Sequence, residues 1–136
     1  MNGQVDWGTL FFSASGRLSR TPFLIAAAIL FGIAVVYEAV VGDTVTLHWL
    51  TGWFVYPALF YCGACVLSKR LHDRGRSGWI AAVILTALVA TWPVPIGFFD
   101  FLFMLVVIWA VIELGVMGGE QGANRFGPNP LRAALA

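Results

Sequence analysis

The chain has 136 residues, room for one compact domain. It is 60% apolar and only 11% charged, against about 25% charged in an ordinary soluble domain, which excludes a water-soluble globule: too little polar surface exists to cover it. The formal net charge of +1 gives no basic excess, no nucleic-acid partner is expected, and the placement of the charges carries the information.

Residues 1–20 read as an amphipathic lead-in. Trp7, Leu10, Phe11 and Leu18 stand among Ser, Gly and Arg, as suits a short interfacial segment at the lipid headgroups, interrupted at Gly16. The apolar run that follows is too long for a signal core and lacks a small-residue cleavage site, so the first helix is expected to stay in the mature protein. Thr21-Pro22 reads as an N-cap followed by proline at the first helical position.

Four membrane helices are predicted. The first covers 22–41, long enough at about 1.5 Å per residue to cross a hydrocarbon core of about 30 Å, and Gly42-Asp43 ends it. The second covers 47–68, with Trp49, Trp53 and Tyr56 as an aromatic belt and Pro57 as a kink. A polar connection from Lys69 to Gly78 follows, and a third helix covers 79–92. Pro93 to Gly97 breaks the next apolar stretch as a tight turn, leaving that third helix short or tilted. The fourth covers 98–117, and Gly118-Gly119 stops it. The tail, 118–136, is rich in Gly, Pro and Asn and reads as a loop.

The basic residues fix an orientation. Arg17 and Arg20 precede the first helix, Lys69, Arg70, Arg74 and Arg76 lie between the second and third, and Arg125 and Arg132 lie in the tail. The other two connections contain none. Basic residues near helix ends stay in the cytoplasm, so an even number of spans with both termini inside is expected. The fold class is an all-α membrane protein: a four-helix bundle over residues 1–136, N-in and C-in.

Three polar segments stand out on that side: Phe12 to Arg20, Arg70 to Trp79, and Gly122 to Pro130. Together, in this order, they resemble the YhaH/YhaI-type family of small bacterial inner-membrane proteins, a domain-of-unknown-function family. The resemblance covers essentially the whole chain. It departs at Lys69, where a second Arg is common, at Ile80, where a second Trp is common, and at Phe126 and Asn129, where Tyr and Asp are usual. It implies the bacterial inner membrane and the four-helix layout, with no established activity or cofactor.

The central loop is the first functional candidate. Four basic side chains within ten residues would lie at an anionic surface, each gaining about 1 kcal/mol there. Gly75 and Gly78 permit tight turns whose N–H groups can form an anion nest, and Arg74 and Arg76 offer forked donors suited to phosphate. A lipid headgroup or a protein partner would then be held by Arg70, His72, Asp73, Arg74, Gly75, Arg76 and Gly78, closed over by Arg17, Arg20, Asn124 and Arg125. The plainer alternative is a topology signal in which Asp73 pairs locally with an arginine. His72-Asp73 also has the composition of an acid–base pair acting on lipid phosphates, but no nucleophile is singled out beside it.

Glu113 is the deepest acid, roughly 8 Å inside the end of the fourth helix. It suggests either a small proton- or solute-coupled transporter or a carboxylate paired with Arg17, Arg70 or Arg74. Glu38 and Asp100 are expected to be solvated at the outer edge. Cys62-Gly63-Ala64-Cys65 lies inside a helix without the strand-then-helix setting of a redox motif, so it reads as packing. His48 and His72 are about 36 Å apart along the second helix and cannot share an ion, and no metal or cofactor is expected. Ala28 with Gly32, and Ala58 with Cys62, offer small faces for packing within the bundle or in a homo-oligomer.

Overall fold

The computed structural model describes residues 5–92, 94–133 and 135. The first four lead-in residues and Pro93, assigned above to the interfacial segment and the tight turn, lie outside the described residues. Six helices follow one another: α1 (Trp7–Phe12), α2 (Arg20–Val41), α3 (Val45–Asp73), α4 (Ile80–Ala90), α5 (Phe98–Ala110, continuing as a π-helical turn over Val111–Val116) and α6 (Pro130–Ala133). The described residues form no strand; one isolated bridge joins Asn124 to Gly127.

Among the described residues three helices are long and apolar enough to cross a membrane: α2, α3, and α5 with its π turn. Phe31, Trp53, Phe54, Phe98 and Phe99 are exposed on them, an arrangement tolerable only against lipid. The chain is a membrane protein. The shorter apolar helix α4 has 11 residues, about 17 Å, where 79–92 was expected. Trp79 belongs instead to a tight i→i+3 turn, in which Ile80, Ala81 and Ala82 donate to the carbonyls of Ser77, Gly78 and Trp79. At the far end Thr91 turns back on the helix, its N–H and its hydroxyl both donating to the Ala87 carbonyl.

Helix α3 corrects the expected boundary at Ser68. Its 29 residues, about 44 Å, run unbroken through Pro57 to Asp73 and exceed a hydrocarbon core of about 30 Å. Lys69, Arg70, Leu71, His72 and Asp73 therefore belong to the helix and not to the connection after it. The helix ends in a Schellman motif: the Arg76 N–H reaches the Leu71 carbonyl at 2.8 Å and the Gly75 N–H reaches His72 at 3.0 Å. Gly75 supplies the left-handed residue this requires, at φ +69°.

The buried core lies toward this end of the bundle. Leu18 just before α2, and Phe23 and Ala26 from its start, meet Val66 and Leu71 from α3, Ile84 from α4 and Leu114 from the π turn. The lead-in joins them. Asp6 caps α1 through the Gly8 N–H, Leu10 is buried, and the Lys69 ammonium donates to the Thr9 and Leu10 carbonyls at the end of α1. The expected interfacial segment is thus docked on α3, with Trp7 and Phe12 exposed. Helix α2 begins at Arg20 with Ser19 as N-cap, two residues earlier than the Thr21-Pro22 reading placed it. Ala28 is exposed and a Cβ added to Gly32 meets nothing within 4 Å, so this small stripe takes no part in packing inside the bundle.

Replacing Gly75 by Ala would cost about 1–2 kcal/mol for the left-handed backbone alone, and the new methyl would also meet the Glu120 carboxylate. Gly75→Ala should lower the thermal midpoint in detergent. Gly122→Ala, where nothing stands within 4 Å, should leave it unchanged. Equal midpoints for the two variants would contradict the account of the α3 terminus.

Candidate functional site

Asp73 is the centre of the polar end. It is 2% exposed, and one carboxylate oxygen accepts from Arg70 Nη1 at 2.5 Å while the other accepts from Arg17 Nε at 3.0 Å and lies 3.0 Å from Arg17 Nη2 in an ion pair. Its backbone carbonyl accepts the Glu120 N–H at 2.9 Å. Gly119 passes so close that any Cβ there would overlap the Asp73 carboxylate, which is why the tail needs glycine at that position.

Arg70 is fully buried at 0% exposure, with no solvent to satisfy its donors. Besides Asp73 it donates to the carbonyls of Leu114 at 2.8 Å, Leu18 at 3.3 Å and Met117 at 2.7 Å, and its guanidinium lies 5.9 Å from the Phe23 ring centroid. Arg20 donates to Val116 at 3.1 Å, and Arg74 to Gly118. The last carbonyls of the membrane helix and of the two residues after it therefore receive donors from three arginine side chains, the charge sign favoured at a helix C-terminus. Met117 closes the π turn by donating to Ile112 at 3.1 Å.

Arg17 ties the lead-in to the tail. Its side chain is 1% exposed and donates to Glu120 O and Gly122 O, both at 2.7 Å, and to Gly127 O at 3.3 Å. Asn124 folds the tail against α3: its amide donates to His72 O at 2.9 Å and to Glu120 Oε2 at 2.6 Å, while its Oδ1 accepts the Phe126 N–H. The small turn from Asn124 to Gly127 lays Phe126 flat on His72, with centroids 3.8 Å apart at 9°. His72 Nδ1 lies 3.0 Å from the Gly16 carbonyl, so this nitrogen carries the proton and the neutral ring keeps its lone pair on Nε2.

Glu113 is buried and paired. Its Oε1 accepts from Arg74 Nε and Nη2, at 3.3 and 3.0 Å, and from Arg76 Nε at 2.9 Å. Of the three partners considered from sequence only Arg74 is used; Arg17 and Arg70 are committed to Asp73. Arg76 also lies over Trp109, 5.4 Å from the ring centroid. The structure thus brings Arg17, Arg70, Asp73, Arg74, Gly75, Arg76, Glu113 and Asn124 into one internal network. Arg20 joins it at one carbonyl. Gly78 lies outside it, against Ser68 and His72. Arg125 is exposed, stacked 4.6 Å over Phe126, with no hydrogen bond or ion pair among the described residues.

Beside this network, a lateral groove of about 900 Å³ runs between α3 and α4. Ala64, Ser68, Ala82 and Leu85 line its length, and His72 and Arg125 stand at its polar end. Sequence reasoning missed it, because it depends on where the turn before α4 places small residues.

A second cluster at the opposite end was also missed. Tyr56 and His48 both donate to Glu38 Oε1, His48 Nε2 at 3.3 Å, and the Tyr37 hydroxyl meets Thr51 Oγ1 at 2.8 Å. Glu38 is therefore held between α2 and α3 and is not simply solvated. Asp100 likewise accepts the Ile96 and Gly97 N–H groups, each at 3.0 Å, and caps α5. A spacing signal existed for the first cluster: His48 and Tyr56 are eight residues apart, two turns of one helix face. No group of three or more metal-ligating side chains occurs among the described residues, and Cys62 and Cys65 are free thiols.

Removing one partner of a buried ion pair costs about 3–5 kcal/mol, because the other charge is left uncompensated. Asp73→Ala should therefore lower the detergent melting point steeply and expose residues 118–133 to protease. Arg132→Gln, on the exposed tail, should stay within about 0.5 kcal/mol of the parent. Matching melting curves and cleavage rates for the two variants would remove Asp73 from the centre of this end.

A family model described as a protein of unknown function, DUF805, matches residues 11–128, which includes every residue of the Arg17–Asp73–tail junction. Uncharacterized protein YiiR of Escherichia coli strain K12 is 33% identical over 124 residues, covering 85% of this chain and 84% of that protein. YiiR of Escherichia coli O157:H7 matches to the same extent. No solved structure matches the chain. Of the resemblance noted in the three polar segments, these matches support membership of a family of unknown function; the relatives carry the name YiiR and not YhaH or YhaI. The chain belongs to the DUF805 family of proteins of unknown function.

Proposed function

We propose that this protein is a non-enzymatic binding module of the bacterial inner membrane, with four spans, both termini in the cytoplasm, and its arginine-rich end at the cytoplasmic headgroup layer. The observation that carries this reading is the division of labour among its basic residues. Arg17, Arg70, Arg74 and Arg76 are committed to internal carboxylates and carbonyls. Arg125 and Arg132, in the tail, have no hydrogen bond or ion pair among the described residues and are exposed. The tail is thus a rigid, basic, outward surface pinned to the bundle, suited to an anionic lipid layer or an acidic protein face.

Two other readings are less well supported. Transport through Glu113 would need a carboxylate able to release its partner, and here Oε1 receives three N–H donors from two arginines near the helix end. Lipid-phosphate chemistry at His72 and Asp73 would need the two side chains to cooperate, and Asp73 is enclosed by Arg17 and Arg70 while His72 Nδ1 faces Gly16.

The orientation predicts that a fluorescent protein fused after Ala136 is fluorescent and that an alkaline phosphatase fused there is inactive; the reverse pair of results would overturn it. The surface reading predicts that amides of 118–133 exchange more slowly in nanodiscs containing phosphatidylglycerol than in phosphatidylcholine alone, and that salt removes the difference. Identical exchange in both bilayers would count against engagement of the headgroups.

A further inference from the structure

We propose that the groove between α3 and α4 is a binding site for a single anionic phospholipid, with one acyl chain along the groove and the phosphate against Arg125. The inference rests on the placement of the basic end at the headgroup layer and goes further by naming the ligand and its seat.

The groove has the form such a ligand needs. It is an open groove that follows α3 from Phe60 to His72, about 18 Å at one helical rise per residue. Its floor is made of small side chains, Ala64 and Ser68 on α3 and Ala81 and Ala82 on α4. Those residues are small on facing helices at the same level, so the helices leave a channel where larger side chains would interdigitate. Leu85 and Phe60 give its deeper part an apolar wall suited to a hydrocarbon chain and to nothing charged.

The polar end is chemically distinct. Arg125 is the cation at the mouth, and its guanidinium is held over Phe126 instead of being spent on a carboxylate. Phe126 is fixed in turn by its stack on His72 and by the Asn124 side chain. The guanidinium is therefore positioned by packing, and its donors remain available for phosphate oxygens. Ser77 adds a hydroxyl on the same rim. Among the described residues no carboxylate lines the groove: Asp73 and Glu113 are sequestered by other arginines, and the Glu120 carboxylate accepts from Asn124. An apolar channel ending in one oriented cation without a local counter-ion is complementary to an anionic amphiphile. A neutral lipid would leave Arg125 unpaired, and a zwitterionic one would bring a cationic group to Arg125 together with its phosphate.

Native mass spectrometry of the full chain in detergent tests this with dioleoyl-phosphatidylglycerol and dioleoyl-phosphatidylcholine as probes. The expected result is one retained phosphatidylglycerol per chain and much weaker retention of phosphatidylcholine. Arg125→Gln should lower phosphatidylglycerol retention about fivefold. Ala82→Trp, which fills the channel from an exposed position, should abolish retention at unchanged helicity. Glycerol 3-phosphate in excess should not displace the lipid, because the chain and not the phosphate alone is bound. Equal retention of the two lipids, undiminished retention in Arg125→Gln or in a folded Ala82→Trp, or displacement by glycerol 3-phosphate would each overturn the site. Should Ala82→Trp fail to fold, Arg125→Gln and the headgroup comparison still decide. Mass spectrometry reads the groove while the fusions and hydrogen exchange read the membrane face, so failure of one does not imitate failure of the other.

Discussion

The Asp73 carboxylate joins three segments that are far apart in the chain. Arg17 approaches it from the lead-in, Arg70 from one turn back on α3, and Gly119 of the tail packs directly against it. In a bundle whose outside is lipid, apolar burial gives little drive for one helix to prefer another, and small residues and polar contacts decide the packing. A buried anion between two buried cations is costly to dehydrate, so its net contribution to stability over an apolar substitute is small. Its effect is on arrangement. With Asp73 enclosed, the tail and lead-in have one place to sit, and with it unpaired they have none that satisfies Arg17 and Arg70.

The same arginines solve a second problem. A helix that ends near a membrane surface leaves its last carbonyls without intrahelical partners. Here Leu114, Val116, Met117 and Gly118 receive guanidinium donors from α2, α3 and the connection after it. The π turn that precedes them carries Glu113 to Arg74 and Arg76. Asp73 and Glu113 are thereby neutralised from within, while the Glu120 carboxylate accepts from Asn124. The charge that specifies folding and the charge presented outward are carried by different residues, and this separation leaves Arg125 at the mouth of a groove without a local carboxylate.

The chemistry-bearing residues were legible as a group before their roles were. Arg17, Arg70, His72, Asp73, Arg74, Arg76 and Asn124 stand out by type in an apolar chain, and the fold brings them together. What their spacing suggested was an open anion site in a loop. The actual arrangement has Arg70 and Asp73 inside the last turn of α3, three residues apart and facing inward. That outcome turned on five residues of extra helix, which no hydropathy pattern marks, because Lys69 to Asp73 is polar whether it ends a helix or begins a loop. The Glu38–His48–Tyr56 cluster was missed for a related reason: each member looks like an ordinary interfacial residue until α2 and α3 are laid side by side.

By itself the sequence determined the solvent this protein folds in, the positions of its long apolar helices and the gathering of its basic residues at one end. These follow from length, hydropathy and charge, which act locally and leave a one-dimensional record. Only the tertiary structure decided which arginine meets which acid, that the lead-in docks on α3, that α4 is short, and that small residues on α3 and α4 face each other across a groove. Those depend on distances between segments up to 110 residues apart, such as Arg17 to Gly127. A guanidinium accepts any carboxylate or carbonyl within reach, so its partner is chosen by packing and not by its neighbours in the chain.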